Sequence, residues 1–206
     1  TYLDIIKYYS ILQKKIITFL KNKPNDQLKP VEYYMIMFVT LHTHMHLESY
    51  LFTNQLVYKK NPFNTNLNIN KDKIKPINIE MINIPSGLFW QGYFNKNHKI
   101  GFDNEKPCFK TQIKKFAVSK TYITNYMYLQ FIEDNGYKID KYWSFNGNLW
   151  KNNKLYKDVP FYWQKVNGEW YINYFDELIL LKHIYNYPVI HISWYEADAY
   201  CKWAGG

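Results

Sequence analysis

Arginine is absent from this chain: all 26 basic residues are lysine, set against 17 acidic ones for a formal charge of +9. Phosphate and base-edge recognition lean on the bidentate guanidinium. The lysines are also scattered along the sequence, so the charge reads as a solvated surface and not as a nucleic-acid footprint. Cysteine is scarce. Cys108 and Cys201 are the only two, too few for a disulfide framework. No apolar run reaches the roughly 18 residues that span a bilayer, and no basic-apolar-small signal segment opens the chain. A reduced, cytoplasmic setting without nucleic-acid or membrane partners is the expectation. The chain opens on Thr1 without a methionine and stops at Gly205-Gly206, just past a helical pattern. It reads as a piece of a longer protein. Aromatics, by contrast, are plentiful, with 21 Tyr, 13 Phe and 7 Trp among 206 residues. Such side chains bury large areas but carry polar tips that need partners, which favours an irregular, loop-rich core.

Apolar residues at Leu3, Ile6, Tyr9, Ile16, Phe19 and Leu20 predict a helix over 2–22, broken by Pro24, Asn25 and Asp26. Pro30 suits a first helical turn, and a second helix is expected from there to about 58, stopped by Asn61-Pro62. Residues 61–76 are rich in Asn, Lys and Pro and read as a linker. The texture then changes. Alternation over 77–84, a Pro85-Ser86-Gly87 turn and Leu88-Phe89-Trp90 predict a strand, a turn and a second strand. Another short strand is expected over 113–118. Thr124 caps a helix over 125–133. Ser193 with Glu196 forms a capping box for a helix to Trp203, with Gly205 at its stop. Residues 137–190 show few clear elements. The expected organisation is therefore a helical part at 1–60, a linker at 61–76 and an α+β part at 77–206.

The stretch with the most chemistry is Leu41-His42-Thr43-His44-Met45-His46-Leu47-Glu48. His42 and His46 are four apart inside a helical pattern, so they lie one above the other on one face. Two imidazoles placed so can hold one transition metal, and imidazole suits iron, zinc, copper and nickel. A bare H-x-x-x-H is a weak signal; two partly buried histidines bonded to backbone or water are its other reading. His44 is half a turn away and reads as packing or solvent-facing. His191 reads as a bonded core histidine in a strand, and His98 and His183 as surface residues. Asp103 and Glu105 read as a solvated loop capping nearby backbone groups. Nothing marks Cys108 as a reactive thiol.

Several blocks resemble the formylglycine-generating, or sulfatase-modifying-factor, fold, whose architecture resembles that of C-type lectins. They are Ile84-Pro85-Ser86-Gly87-Leu88-Phe89-Trp90-Gln91-Gly92, the acidic loop Phe102-Asp103-Asn104-Glu105-Lys106-Pro107, and the helix Thr124-Asn125-Tyr126-Met127-Tyr128-Leu129-Gln130-Phe131-Ile132. Gly136-Tyr137 and Trp143-Ser144 extend the match. The most specific block is Pro188-Val189-Ile190-His191-Ile192-Ser193-Trp194-Tyr195-Glu196-Ala197 with Ala199-Tyr200-Cys201-Lys202-Trp203-Ala204-Gly205. A helical segment carrying H-x-x-x-H-x-E ahead of that fold is similar to the sulfoxide synthases of ergothioneine biosynthesis. In these a DinB-like helical bundle precedes the formylglycine-generating-type domain, and the fold class implied here is α+β with a partial bundle.

The resemblance implies a non-haem Fe(2+) cofactor held by three bundle histidines, with oxygen joining a cysteine-type thiol to a histidine-derived imidazole. His42 and His46 match the two ligands of one helix. The third is expected on an earlier helix, and no histidine precedes His42. Glu48 matches the acidic residue of the motif. It lies about 200° round the helix from His46, which suits a supporting contact rather than ligation. Met45 occupies the position that helps to hold the substrate in some members. The remaining catalytic and substrate residues are expected after Gly206, and the chain alone is expected to be inactive. Two alternatives differ in class: a non-catalytic binding or scaffold module of the same fold, with aromatic loops over 137–175 as its surface, and a formylglycine-generating activity.

Overall fold

In a computed structural model the chain is described over residues 1–23, 27–57, 60–63, 69, 74–94, 101–153 and 158–205. It divides into two compact units, Thr1–Ser49 with Phe89–Thr111, and Tyr50–Leu88 with Gln112–Gly206. Helices and strands are both well represented, which makes the fold α+β.

The first unit contains α1 (Tyr2–Asn22) and the greater part of α2 (Pro30–Val57). Helix α1 starts on a capping box: the Thr1 hydroxyl accepts from the Asp4 amide, and the Asp4 carboxylate returns to the Thr1 backbone, satisfying donors that a helix start leaves open. Glu32 ties the connection between the helices. It accepts from Lys23 Nζ at 2.7 Å and from the Lys29 amide at 2.7 Å, and these bonds, Lys23 first, hold its carboxyl below the usual range. No residue of α1 is buried. Leu3, Ile6, Tyr9, Ile16 and Phe19, the stripe read from the sequence, are all exposed.

The second unit is built on α3 (Asn125–Glu133). Thr124 caps it, accepting from the Met127 amide at 3.3 Å. Two more first-turn amides, those of Asn125 and Tyr126, donate to the carbonyls of Tyr187 and Tyr185 at 2.9 and 3.0 Å. On one side Met127, Tyr128 and Phe131 pack with Tyr137, Trp143, Ala199 and Tyr200; on the other, Leu129 packs with Trp163, Ile172, Ile179 and Leu181. Tyr128 and Phe131 are fully buried. The Tyr128 ring stacks on Tyr200 at 5.5 Å, and Phe131 meets Trp203 edge-on at 5.7 Å. Gly136 is required where the chain passes Phe131, since a Cβ there would stand 2.1 Å from the ring.

Helix α5 (Trp194–Trp203) starts on the expected capping box. Ser193 Oγ accepts from the Glu196 amide at 3.3 Å, and Glu196 Oε2 accepts from the Ser193 amide at 2.6 Å. The other carboxylate oxygen accepts from the Tyr137 hydroxyl at 2.5 Å, which lies 3.1 Å from the Tyr128 hydroxyl. One glutamate thus both caps a helix and anchors a buried tyrosine pair.

Strands β1 (Met81–Ile84) and β2 (Gly87–Gln91) flank the Pro85-Ser86 turn as expected. They do not pair with each other: β1 pairs with β4 and β2 with β3. The single strand expected over 113–118 is two strands, β3 (Phe109–Ile113) and β4 (Phe116–Ser119), interrupted at Lys114-Lys115. In the β1–β4 pair, Met81 faces Ser119 and Ile84 faces Phe116.

The largest correction falls within 137–190. That stretch holds helix α4 (Phe145–Lys151) and an antiparallel meander of β5 (Trp163–Val166), β6 (Glu169–Tyr174) and β7 (Glu177–Leu180). Asn167 and Gly168 both have positive φ, 50° and 85°, which is the two-residue turn that matches strand twist. Phe175, in the next turn, has φ 53°, a costly backbone for a bulky residue; its ring is buried. The expected linker at 61–76 lies largely outside the described residues, as does His98.

Candidate metal centre

His42 and His46 sit on α2 and both side chains are exposed. Their Nε2 atoms converge to 3.1 Å, with ring centroids 4.4 Å apart and planes at 78°. Imidazole nitrogens bind first-row metals at about 2.0–2.1 Å, so two of them at cis angles of about 90–109° stand about 2.8–3.4 Å apart. The observed separation falls inside that window, and the donor chemistry, two imidazole nitrogens on one helical face, fits a transition metal. Among the described residues no group of three or more His, Cys, Asp and Glu side chains gathers at one point. This chain brings two donors together. His44, Met45 and Glu48 are exposed on the same helix.

Sequence reading missed what supports the pair. Tyr34, Phe38, His42 and His46 follow one another at i, i+4 and form a ladder of rings. Tyr34 and Phe38 stack at 6.0 Å and 25°, and Phe38 and His42 at 5.8 Å and 19°. Phe102 meets Phe38 edge-on at 5.7 Å. Lys106 Nζ lies 5.6 Å over Tyr34 and 5.5 Å over Tyr93. The spacing was present in the sequence as aromatics four and eight residues before His42. The loop contact from Phe102 had no sequence signal. Glu105 behaves as expected of a capping loop: its carboxylate accepts from the Phe102 amide at 2.7 Å.

The second unit carries its own cavity of about 830 Å³, lined by Trp150, Phe161, Tyr162, Phe175, His191 and Glu196 among others. Aromatic walls with a few polar groups are the usual make-up of small-molecule pockets. His191 is not in a strand, as the sequence suggested; its φ is 60°, and its ring contacts the edges of Phe52 and Tyr162 at 5.5 and 4.7 Å. Burial lowers its pKa, so the imidazole is neutral at physiological pH. His183 is half-buried rather than on the surface.

Burial raises the Glu196 carboxyl above its ordinary value, against the lowering pull of bonds from Ser193 and Tyr137. Burial likewise raises both tyrosines, which keeps them protonated as donors. Between the ordinary carboxylate value, about 4.3, and the raised folded value, the native state holds more protons than the unfolded chain, so this group lowers stability as pH rises. Glu196→Gln should therefore gain on the wild type, in urea midpoint, as pH is taken from about 4 to about 7. A difference that stays constant across that range would contradict the buried carboxyl.

The meander, the aromatic core and the capped α5 define a domain whose family can be assigned. The model of the sulfatase-modifying factor enzyme 1-like domain matches residues 68–206, and the chain belongs to that family. It is 28% identical over 123 residues to the hercynine oxygenase of Mycolicibacterium smegmatis, covering 59% of this chain and 27% of that protein. The formylglycine-generating enzyme of Mus musculus is also 28% identical, over 136 residues, covering 61% of this chain and 36% of that enzyme. So is the inactive C-alpha-formylglycine-generating enzyme 2 of Mus musculus, over 134 residues, covering 61% and 42%. The chain spans less than half the length of these relatives. The three are an oxygenase, a formylglycine-generating enzyme and a protein named as inactive. Among the described residues no helix is long and apolar enough to cross a membrane.

Proposed function

We propose that this chain belongs to an iron(II)- and oxygen-dependent sulfoxide synthase that joins a cysteine-type thiol to a histidine-derived imidazole. The observation that carries the reading is the convergence of His42 and His46 Nε2 to 3.1 Å on one exposed helical face, in a chain similar to hercynine oxygenases. Bound iron would supply oxygen activation and a seat for the thiolate. The chain's own part is to hold and orient. With metal bound, each imidazole would present its Nε2 lone pair and carry its proton on Nδ1. The exposure of both rings leaves room for two substrates beside them. Met45 projects an apolar, polarisable side chain next to the pair and supplies contact to the acceptor rather than a hydrogen bond. Glu48 supports the helix face without ligating. The exposed apolar stripe of α1 suits further helices of a DinB-like bundle, one of which would carry the third histidine.

The reaction balances without another reductant. The thiol S–H and the ring C–H are lost, a C–S bond forms, one oxygen atom ends on sulfur and the other leaves as water. In this reading the partners are small molecules and oxygen, not nucleic acid or membrane, and the free Cys108 and Cys201 suit a reducing cytoplasm.

Oxygen uptake tests the coupling. Iron-loaded full-length protein with cysteine or γ-glutamylcysteine should consume oxygen faster once histidine or its betaine is added, because ordered placement of both substrates provides much of the acceleration. Uptake indifferent to every imidazole would favour a non-catalytic module of this fold, or a formylglycine-generating activity, over a synthase.

A further inference from the structure

We infer that Phe38 is a positioning residue: its ring face fixes the His42 imidazole in the orientation that binds metal, and Phe102 braces it. This inference rests on the metal-binding reading above and adds the residues that prepare the site.

An exposed histidine on a helix samples several χ1 and χ2 settings. Only some of them aim Nε2 at the neighbour one turn on. His42 is exposed, yet its ring lies on the face of Phe38 at 5.8 Å and only 19° from parallel. Helical side chains lean toward the N-terminus, so the turn that carries Phe38 is the one His42 naturally covers. Phe38 is itself half-buried and contacted on two further sides, by Tyr34 at 6.0 Å and by the edge of Phe102 at 5.7 Å.

Phe102 is held in place by its own turn. Its amide donates to Glu105 Oε2 at 2.7 Å, its carbonyl accepts from the Glu105 amide at 3.2 Å, and the Glu105 carbonyl accepts from Tyr93 at 2.8 Å. Lys106 then spans the rings of Tyr34 and Tyr93. The ladder is anchored at its half-buried end and free at its imidazole end. That is the arrangement expected of a support that leaves the ligand nitrogens open.

The test is cobalt(II) binding to the full-length protein, followed by visible absorption, together with the ring-proton NMR shifts of His42 in metal-free protein. Phe38→Ala should weaken cobalt affinity about tenfold, the lower end of what supporting residues contribute at metal sites. It should also abolish the ring-current shift on His42 while helix content stays unchanged. Phe38→Tyr, which keeps the flat face, should restore both. Phe38→Leu, which keeps apolar bulk without a face, should bind as poorly as Phe38→Ala. Equal affinity of the Leu and Tyr variants would overturn the positioning role and leave the metal site standing. Failure of the wild type to bind cobalt would overturn both.

Discussion

Full-length protein loaded anaerobically with ferrous iron should lose its metal when either His42 or His46 is replaced by alanine. Changes to supporting residues around metal sites cost about 10–100-fold in affinity, so loss of a ligand atom itself should cost at least about 100-fold. Alanine is the best helix former, and both histidines are exposed on α2. Neither substitution opens a core cavity, so lost metal reports lost ligation and not lost fold. His44→Ala is the internal control. It removes an imidazole of the same helix that lies about 200° round from His42, and it should retain the iron. Elemental analysis of the desalted proteins decides the matter. Unchanged iron content in both variants would remove the metal site from this face of α2.

The second large effect is on stability. Phe131→Ala should destabilise the second unit by about 3–5 kcal/mol, the range for a large aromatic deleted from a packed core. Phe131 is fully buried and touches Tyr128, Tyr137, Tyr200 and Trp203. It also fills the space beside Gly136, where a Cβ would meet its ring at 2.1 Å. Small domains carry only about 5–15 kcal/mol in all, so the variant should unfold at much lower urea. Phe145→Ala, at 80% exposed, should stay within about 0.5 kcal/mol of the wild type. A loss under about 1 kcal/mol for Phe131→Ala would mean that α3 is not the centre of this core.

Where one local rule governs, the sequence was legible. The Thr124 and Ser193 caps, the Pro30 start of α2 and the helices they open are set by short-range hydrogen bonding and periodicity, and they stand where expected. The i, i+4 spacing of His42 and His46 likewise brought the two nitrogens together. The failures have physical causes too. Strand partners are chosen by tertiary packing, so nothing local showed that β1 would take β4 and leave β2 to β3. The meander was missed although Asn167-Gly168 is a strong hairpin signal. Its flanking strands, Trp163-Gln164-Lys165-Val166 and Glu169-Trp170-Tyr171-Ile172, do not alternate strictly between apolar and polar residues, so the period-2 signal of a strand is weak there. The turn at Phe175 places a bulky residue at positive φ, where sequence rules expect glycine. Phe102 reaches Phe38 across 64 positions of sequence, and no periodicity reports such a contact.

The reaction product distinguishes a synthase from a binding module. Iron-loaded full-length protein should be incubated with oxygen, a cysteine-type thiol and histidine or its betaine, and the mixture examined by mass spectrometry. A synthase should yield an adduct with the mass of thiol plus imidazole, less two hydrogens and plus one oxygen, which disappears in His42→Ala and His46→Ala. A folded, iron-loaded preparation that yields no such adduct with any thiol–imidazole pair would contradict it.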